Sequence, residues 1–168
     1  MPATSAMNKR SNRNLLQSFG CAFHGLGSAL ARERNMRIHT AAAVLLLYFS
    51  RYYSFSSTQY ALLFLAMGLV LTAEMINTAI EKAVDLESPA FHYLARISKD
   101  VAAGAVLVAV FSSVATGFAL FWDKLILERI LKDILSRPLA AVAAAALLFV
   151  LIFVVPLRDD SGKKNQRR

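Results

Sequence analysis

Glu74, Asn77, Glu81 and Asp85 follow one another at spacings of three, four and four residues at the end of a long apolar segment, and a Lys99-Asp100 pair precedes the next one. At about 100° per residue on a helix, Asn77 falls roughly 60° behind Glu74, Glu81 about 20° behind and Asp85 about 20° ahead. The four side chains therefore share one narrow stripe. Acidic groups are costly near hydrocarbon, roughly 2.5–3.5 kcal/mol for an Asp at the centre of a spanning helix. A chain that lines several of them along one face at a bilayer edge is expected to use them. Carboxylate oxygens suit Mg²⁺, which usually binds through one or two carboxylates plus substrate phosphates. A lysine meets phosphate as a point charge, and a further carboxylate can take the proton of an attacking hydroxyl. Together these residue types point to phosphoryl transfer at a membrane surface. The sequence holds no GxxxxGK[ST] loop and no protein-kinase signature set.

The elements that position these residues are apolar helices. The chain has 168 residues, is 57% hydrophobic and carries a net charge of +8. The apolar fraction exceeds the roughly 45–50% usual in soluble domains. Residues 101–122 and 139–157 contain no charged side chain, and each run is long enough to cross about 30 Å of hydrocarbon. The expected fold is an all-α integral membrane protein. Leu15, Phe19, Ala22, Phe23, Leu26 and Leu30 recur in steps of three and four, which predicts an N-terminal amphipathic surface helix. Three transmembrane helices follow, over residues 38–49, 60–84 and 93–122, and a fourth over about 139–157. The first is short. A turn is expected at 54–58, a loop with Pro89 at 86–92, and an amphipathic connector at 123–137. Residues 1–13 form a polar, basic and disordered arm, 14–122 the domain carrying the stripe, and 123–168 an extension ending in a basic tail.

Orientation follows from basic residues. Lys9, Arg10, Arg13, Arg32, Arg34 and Arg37 precede the first span, and Lys163, Lys164, Arg167 and Arg168 close the chain. Such flanks mark cytoplasmic ends. Alternation then puts the stripe, Lys99-Asp100 and the segment 32–37 in one cytoplasmic layer, in a multi-pass protein. The connector, with Lys124, Arg129, Lys132 and Arg137, falls outside and runs against the rule. The basic balance serves the membrane; no nucleic-acid module is present and no such partner is expected. Cys21 is the only cysteine, which rules out an internal disulfide and a cysteine-based metal site. No cleaved leader is expected, because the first apolar run starts only near Ile38.

Three blocks carry a resemblance: Gly25-Leu26 with Glu33-Arg-Asn35-Met-Arg37-Ile-His39; the run from Glu74 through Asn77 and Glu81 to Asp85; and Lys99-Asp100-Val-Ala-Ala-Gly104. In this order and spacing they resemble the prokaryotic diacylglycerol kinase/undecaprenol kinase family over roughly residues 14–122. The resemblance implies a homotrimeric kinase of the bacterial cytoplasmic membrane, with sites between subunits, that moves the γ-phosphate of ATP to a lipid alcohol with Mg²⁺ as cofactor. Carried across by motif, Glu74 is the catalytic base, and Glu33 and Glu81 hold the metal. Asn77 supports both, Lys99 meets the phosphates and Asp100 orders the nucleotide. Asp85, Phe91 and His92 border the nucleotide, with Cys21 at the same site's edge. Asn35, Arg37, His39 and Ala103 line the lipid side with Glu74. The blocks look more like the undecaprenol branch, so undecaprenol is the expected acceptor and diacylglycerol the alternative. The chain departs from the diacylglycerol type in aligning Asn14 and Cys21 on the surface helix, where an Arg and an aromatic are usual, and in Ala103 where a Ser stands. The fourth span lies outside the family's three-span pattern.

Blander readings exist for each group. The stripe could be a polar seam between helices, Glu33 an interfacial ion pair, and Lys99 an anchor that snorkels. His24 and His39 could be ordinary polar-face and helix-end groups, and Gly20, Gly25 and Gly27 read as close helix packing. From another class, a small transporter or channel subunit could use the stripe for ions. A permeation path would carry polar groups through the bilayer's depth, whereas these stop at one boundary.

Overall fold

The computed structural model describes residues 15–87 and 93–154, and among these it is all helical. The elements are α1 (Leu15–Arg32), α2 (Arg34–Ser50), α3 (Ser57–Glu87), α4 (Tyr93–Phe121), α5 (Lys124–Ser136) and α6 (Pro138–Phe149), the last prolonged by a π-helical turn over Val150–Val154. Phe91 and His92, and the basic arm and tail, lie outside the described residues.

Helices α3 and α4 form the backbone of the fold, and they alone among the described residues are long and apolar enough to cross a membrane. With 31 residues α3 is the longest element, about 46 Å at 1.5 Å per residue. Its start is set by a reciprocal cap. The Ser56 backbone N–H donates to Gln59 Oε1 at 2.8 Å, and the Gln59 N–H donates back to Ser56 Oγ at 3.3 Å. This S-x-x-Q box satisfies two orphan donors and starts the helix at Ser57, inside the expected 54–58 turn. Contacts show that α3 and α4 run antiparallel: Ser113 Oγ donates to the Ala66 carbonyl at 2.8 Å, Lys99 reaches Asp85, and Phe55 meets Phe121. The small residues Ala102, Ala109 and the neighbouring Val106 are buried on α4, and small side chains let membrane helices approach closely.

The inward stripe of α3 explains where the site sits. Leu63, Val70, Glu74 and Asn77 are its buried residues, so one face changes from apolar to polar at position 74. Glu74 is therefore turned toward neighbouring helices and away from the apolar outer surface. Helix α2 lies antiparallel to α3, with Glu33 against Lys82 and His39 against Glu74, and buries Met36. It has 17 residues, about 25 Å, longer than the expected 38–49 span but not among the helices long and apolar enough to cross a membrane. Of α1, Ala29 is buried while Phe19 and Phe23 stay exposed; its last turns pack on α2 and α3.

On the expected fourth span lie α6, with 12 residues, and the 5-residue π turn; residues 155–157 lie outside the described residues, and the described part is not among the helices long and apolar enough to cross a membrane. The connector is a helix as expected. Asp123 caps α5 by accepting from the N–H groups of Leu125 at 2.9 Å and Ile126 at 3.2 Å.

Candidate active site

The site is built where the start of α2, the end of α3 and the start of α4 meet. Glu33 interrupts the α1–α2 helical path in an extended conformation, with φ −101° and ψ 118°. It stands at the N-cap position of α2 but makes no side-chain cap. Its carboxylate instead accepts from Lys82 Nζ at 2.6 Å. A residue placed to cap a helix thus spends its side chain on the next helix. The break also turns Arg37 back, so that its guanidinium donates to the Ala31 carbonyl at 3.0 Å.

Six residues further along, on α2, His39 Nε2 stands 3.2 Å from Glu74 Oε1, and the Glu74 side chain is only 4% exposed. One turn beyond Glu74, Asn77 Nδ2 donates to Glu81 Oε1 at 2.9 Å. The spacing that placed these side chains on one stripe also fixes this i, i+4 contact. Asn77 Oδ1 and Arg37 Nε are buried without a hydrogen-bond partner. Such orphaned polar atoms are costly and rare in folded proteins, and Asn77 Oδ1 belongs to the amide that is bonded to Glu81.

At the outer rim of the site, Lys99 Nζ donates to Asp85 Oδ1 at 2.5 Å, tying α4 to α3. Asp100 points elsewhere, to Arg96 at 3.7 Å in a fully exposed i, i+4 pair. Asn35, Cys21 and Ala103 are exposed. The structure thus brings Glu33, His39, Glu74, Asn77 and Glu81 to one layer with Lys82, places Asp85 and Lys99 at its edge, and leaves Asp100, Cys21, Asn35 and Ala103 on outer surfaces.

Two features were missed in the sequence. Lys82 was not picked out, although it adjoins Glu81 and is the one cation of α3. His39 was set on the lipid side and its contact with Glu74 was not foreseen, because that pairing depends on the antiparallel register of α2 and α3. His39 also closes one end of an apolar groove of about 310 Å³ between α2, α3 and α4, lined by Ala43, Leu46, Ala66, Val70 and Phe118 among others.

Oxygen donors dominate the cluster. Glu81 and the open Asn77 Oδ1 are hard ligands of the kind Mg²⁺ takes beside phosphate oxygens. Among the described residues, no three His, Cys, Asp or Glu side chains gather closely enough to hold a metal by themselves.

Sequence comparison places this arrangement in a class. The family described as prokaryotic diacylglycerol kinase matches residues 20–121. The chain is 40% identical over 114 residues to a diacylglycerol kinase of Synechocystis, a match covering 67% of this chain and 65% of that protein, just under two thirds of its length. It is 36% identical over 123 residues to the undecaprenol kinase of Bacillus subtilis, covering 71% of this chain and all of that one. With the Escherichia coli K12 diacylglycerol kinase it shares 28% identity over 118 residues, 70% and 97% of the two chains. No solved structure matches the chain significantly. The chain belongs to the prokaryotic diacylglycerol kinase family. Family and relatives alike indicate a lipid kinase.

Proposed function

We propose that this protein transfers the γ-phosphate of ATP to undecaprenol, with Mg²⁺, at the cytoplasmic face of a bacterial inner membrane that it crosses several times. The observation that carries the reading is a buried acid paired with a histidine that lines an apolar groove. Glu74 is 3% exposed, its partner His39 lines the groove, and the phosphate-facing groups lie one turn further toward the surface. A lipid alcohol entering with its chain in the groove brings its hydroxyl to Glu74. The full-length match to an undecaprenol kinase supports the acceptor; diacylglycerol is the alternative, favoured by the Synechocystis relative's name.

In this mechanism Glu74 takes the hydroxyl proton as the acceptor oxygen attacks the γ-phosphorus. The bond from that phosphorus to the β–γ bridging oxygen breaks, and ADP leaves. The proton ends on Glu74, whose carboxylate His39 orients. Glu81, Asn77 Oδ1 and Glu33 would hold Mg²⁺, which when bound offsets the phosphates' charge. Glu33 is free to do so once Lys82 moves its ammonium onto phosphate. Lys99 makes the same exchange from Asp85. Positioning and charge supply most of such a reaction. Asp85, Asp100, Phe91, His92 and Cys21 border the nucleotide in this reading, and Asn35, Arg37 and Ala103 the lipid headgroup. The family resemblance supports a homotrimer with sites shared between subunits, and native mass spectrometry in detergent tests it.

The direct test gives purified protein MgATP with undecaprenol and with diacylglycerol in parallel. Faster turnover of undecaprenol supports the reading, faster turnover of diacylglycerol reassigns the acceptor, and no turnover of any lipid alcohol removes the kinase reading.

A further inference from the structure

The extension beyond residue 121 lies outside the matched family region, yet it contacts α2 at both ends. At the end away from the site, Tyr52 donates to Asp133 of α5. Tyr52 also receives a hydrogen bond from Arg51 at 3.3 Å, and Arg137 stands 3.9 Å from the same Asp133. At the site end, the π turn packs on α2, and the Arg34 guanidinium lies 5.0 Å from the centre of the Phe153 ring. Phe153 is itself stacked on Phe149 at 4.9 Å. Helix α2 advances about 25 Å from Arg34 to Ser50, and Tyr52 stands two residues past its end, so the extension touches that helix at its first residue and the turn that follows its last.

The location of the inner contact gives it a consequence. Arg34 is the first residue of α2 and follows Glu33 directly. Glu33 has no cap bond of its own, and α2 is tied to the polar end of α3 through Lys82 and His39. The pose of α2's first turn sets where Glu33 and His39 stand. A π turn, which carries an extra residue per turn and is common at functional positions, supplies the aromatic partner.

We propose that α5, α6 and the π turn form an in-chain brace for α2, and that Phe153 is a positioning residue that acts on the site through Arg34. The kinetic part rests on the kinase reading above; the docking part does not. The test for docking uses the full chain in membranes with Cys21→Ser, Arg34→Cys and Phe153→Cys together, treated with a short thiol-reactive bis-methanethiosulfonate cross-linker, from which each cysteine displaces a methanesulfinate. A link within one chain, seen as a joined peptide pair at monomer mass on a denaturing gel, is expected. A link only between chains, or none, overturns the brace. The kinetic arm compares Phe153→Ala, Phe153→Trp and Arg34→Gln. Phe153→Ala and Arg34→Gln should each raise the KM for MgATP about fivefold, the scale of an exposed cation–π contact, with kcat held. Phe153→Trp should restore it, and the double variant should be no worse than either single one. Equal KM in all variants, or a loss that Trp does not rescue, overturns the positioning role. If wild-type protein has no kinase activity, the Proposed function fails while the cross-link still decides the brace.

Discussion

The two ends of the bundle are built from the same helices and differ in how their polar groups are settled. At the far end, Tyr53 is buried and its hydroxyl donates to the Phe121 carbonyl at 2.7 Å. Its ring meets Phe121 edge-on at 4.9 Å, Phe55 packs on both, and Arg51 lies 3.8 Å from the Tyr48 ring centre. At the site end, Glu74 is buried with His39 as its partner at 3.2 Å, and among the described residues Asn77 Oδ1 and Arg37 Nε are buried without partners. The far end is what a polar helix end looks like when it only holds a fold together. Unsatisfied groups at the other end carry a cost that the fold itself does not need, and the proposed function gives Asn77 Oδ1 a ligand to meet.

This contrast predicts that substitutions at the site end change rate and leave folding intact. Glu74→Gln has the largest effect. Loss of a general base is worth about 10²–10⁴-fold, so kcat should fall about a thousandfold while helical circular dichroism and thermal midpoint hold. An amide that matched the acid in turnover would remove the base assignment. Glu81→Gln and Asn77→Leu come next, at about 10- to 100-fold in kcat/KM by the scale of metal-shell changes. Their losses should shrink as Mg²⁺ is raised. Losses that ignore Mg²⁺ would move these two side chains out of the metal's reach. A smaller change is expected in the groove. Ala43→Phe fills space beside His39 and should alter the ratio of undecaprenol to diacylglycerol turnover by about tenfold, within the range one pocket contact supplies. An unchanged ratio would place the acceptor chain elsewhere.

The same contrast shows what could be read from the sequence. The stripe of Glu74, Asn77, Glu81 and Asp85 was legible because helical spacing alone fixes it, and the Asn77–Glu81 contact is its direct product. The long apolar runs gave α3 and α4 for the same local reason. Which stripe faces inward was not legible, since that depends on where α2 and α4 pack. The His39–Glu74 and Glu33–Lys82 contacts required the register between two helices, 35 and 49 residues apart in sequence. The Arg34–Phe153 contact joins residues 119 apart in sequence and has no local signal at all. The start of α3 at Ser57 was missed by one turn's worth of residues because the Ser56–Gln59 box lies among other serines that read equally well as turn.

The far end supplies the smallest effect and the control for the others. Burial, with Asp123 nearby, pushes the Tyr53 hydroxyl above its ordinary range. It therefore keeps its proton and donates to Phe121 throughout the neutral pH range. Tyr53→Phe leaves the ring in its aromatic cluster and removes only that donor. The Phe121 carbonyl stands at the last residue of α4, where water or the next turn can partly replace the bond. The cost should be about 1 kcal/mol, the net worth of one such hydrogen bond, read as a lower midpoint in denaturant unfolding from detergent. Turnover and both KM values should match wild type. A Tyr53→Phe protein with normal stability and impaired kinetics would mean that the two ends are coupled through α4, and the separation between a structural end and a working end would fail.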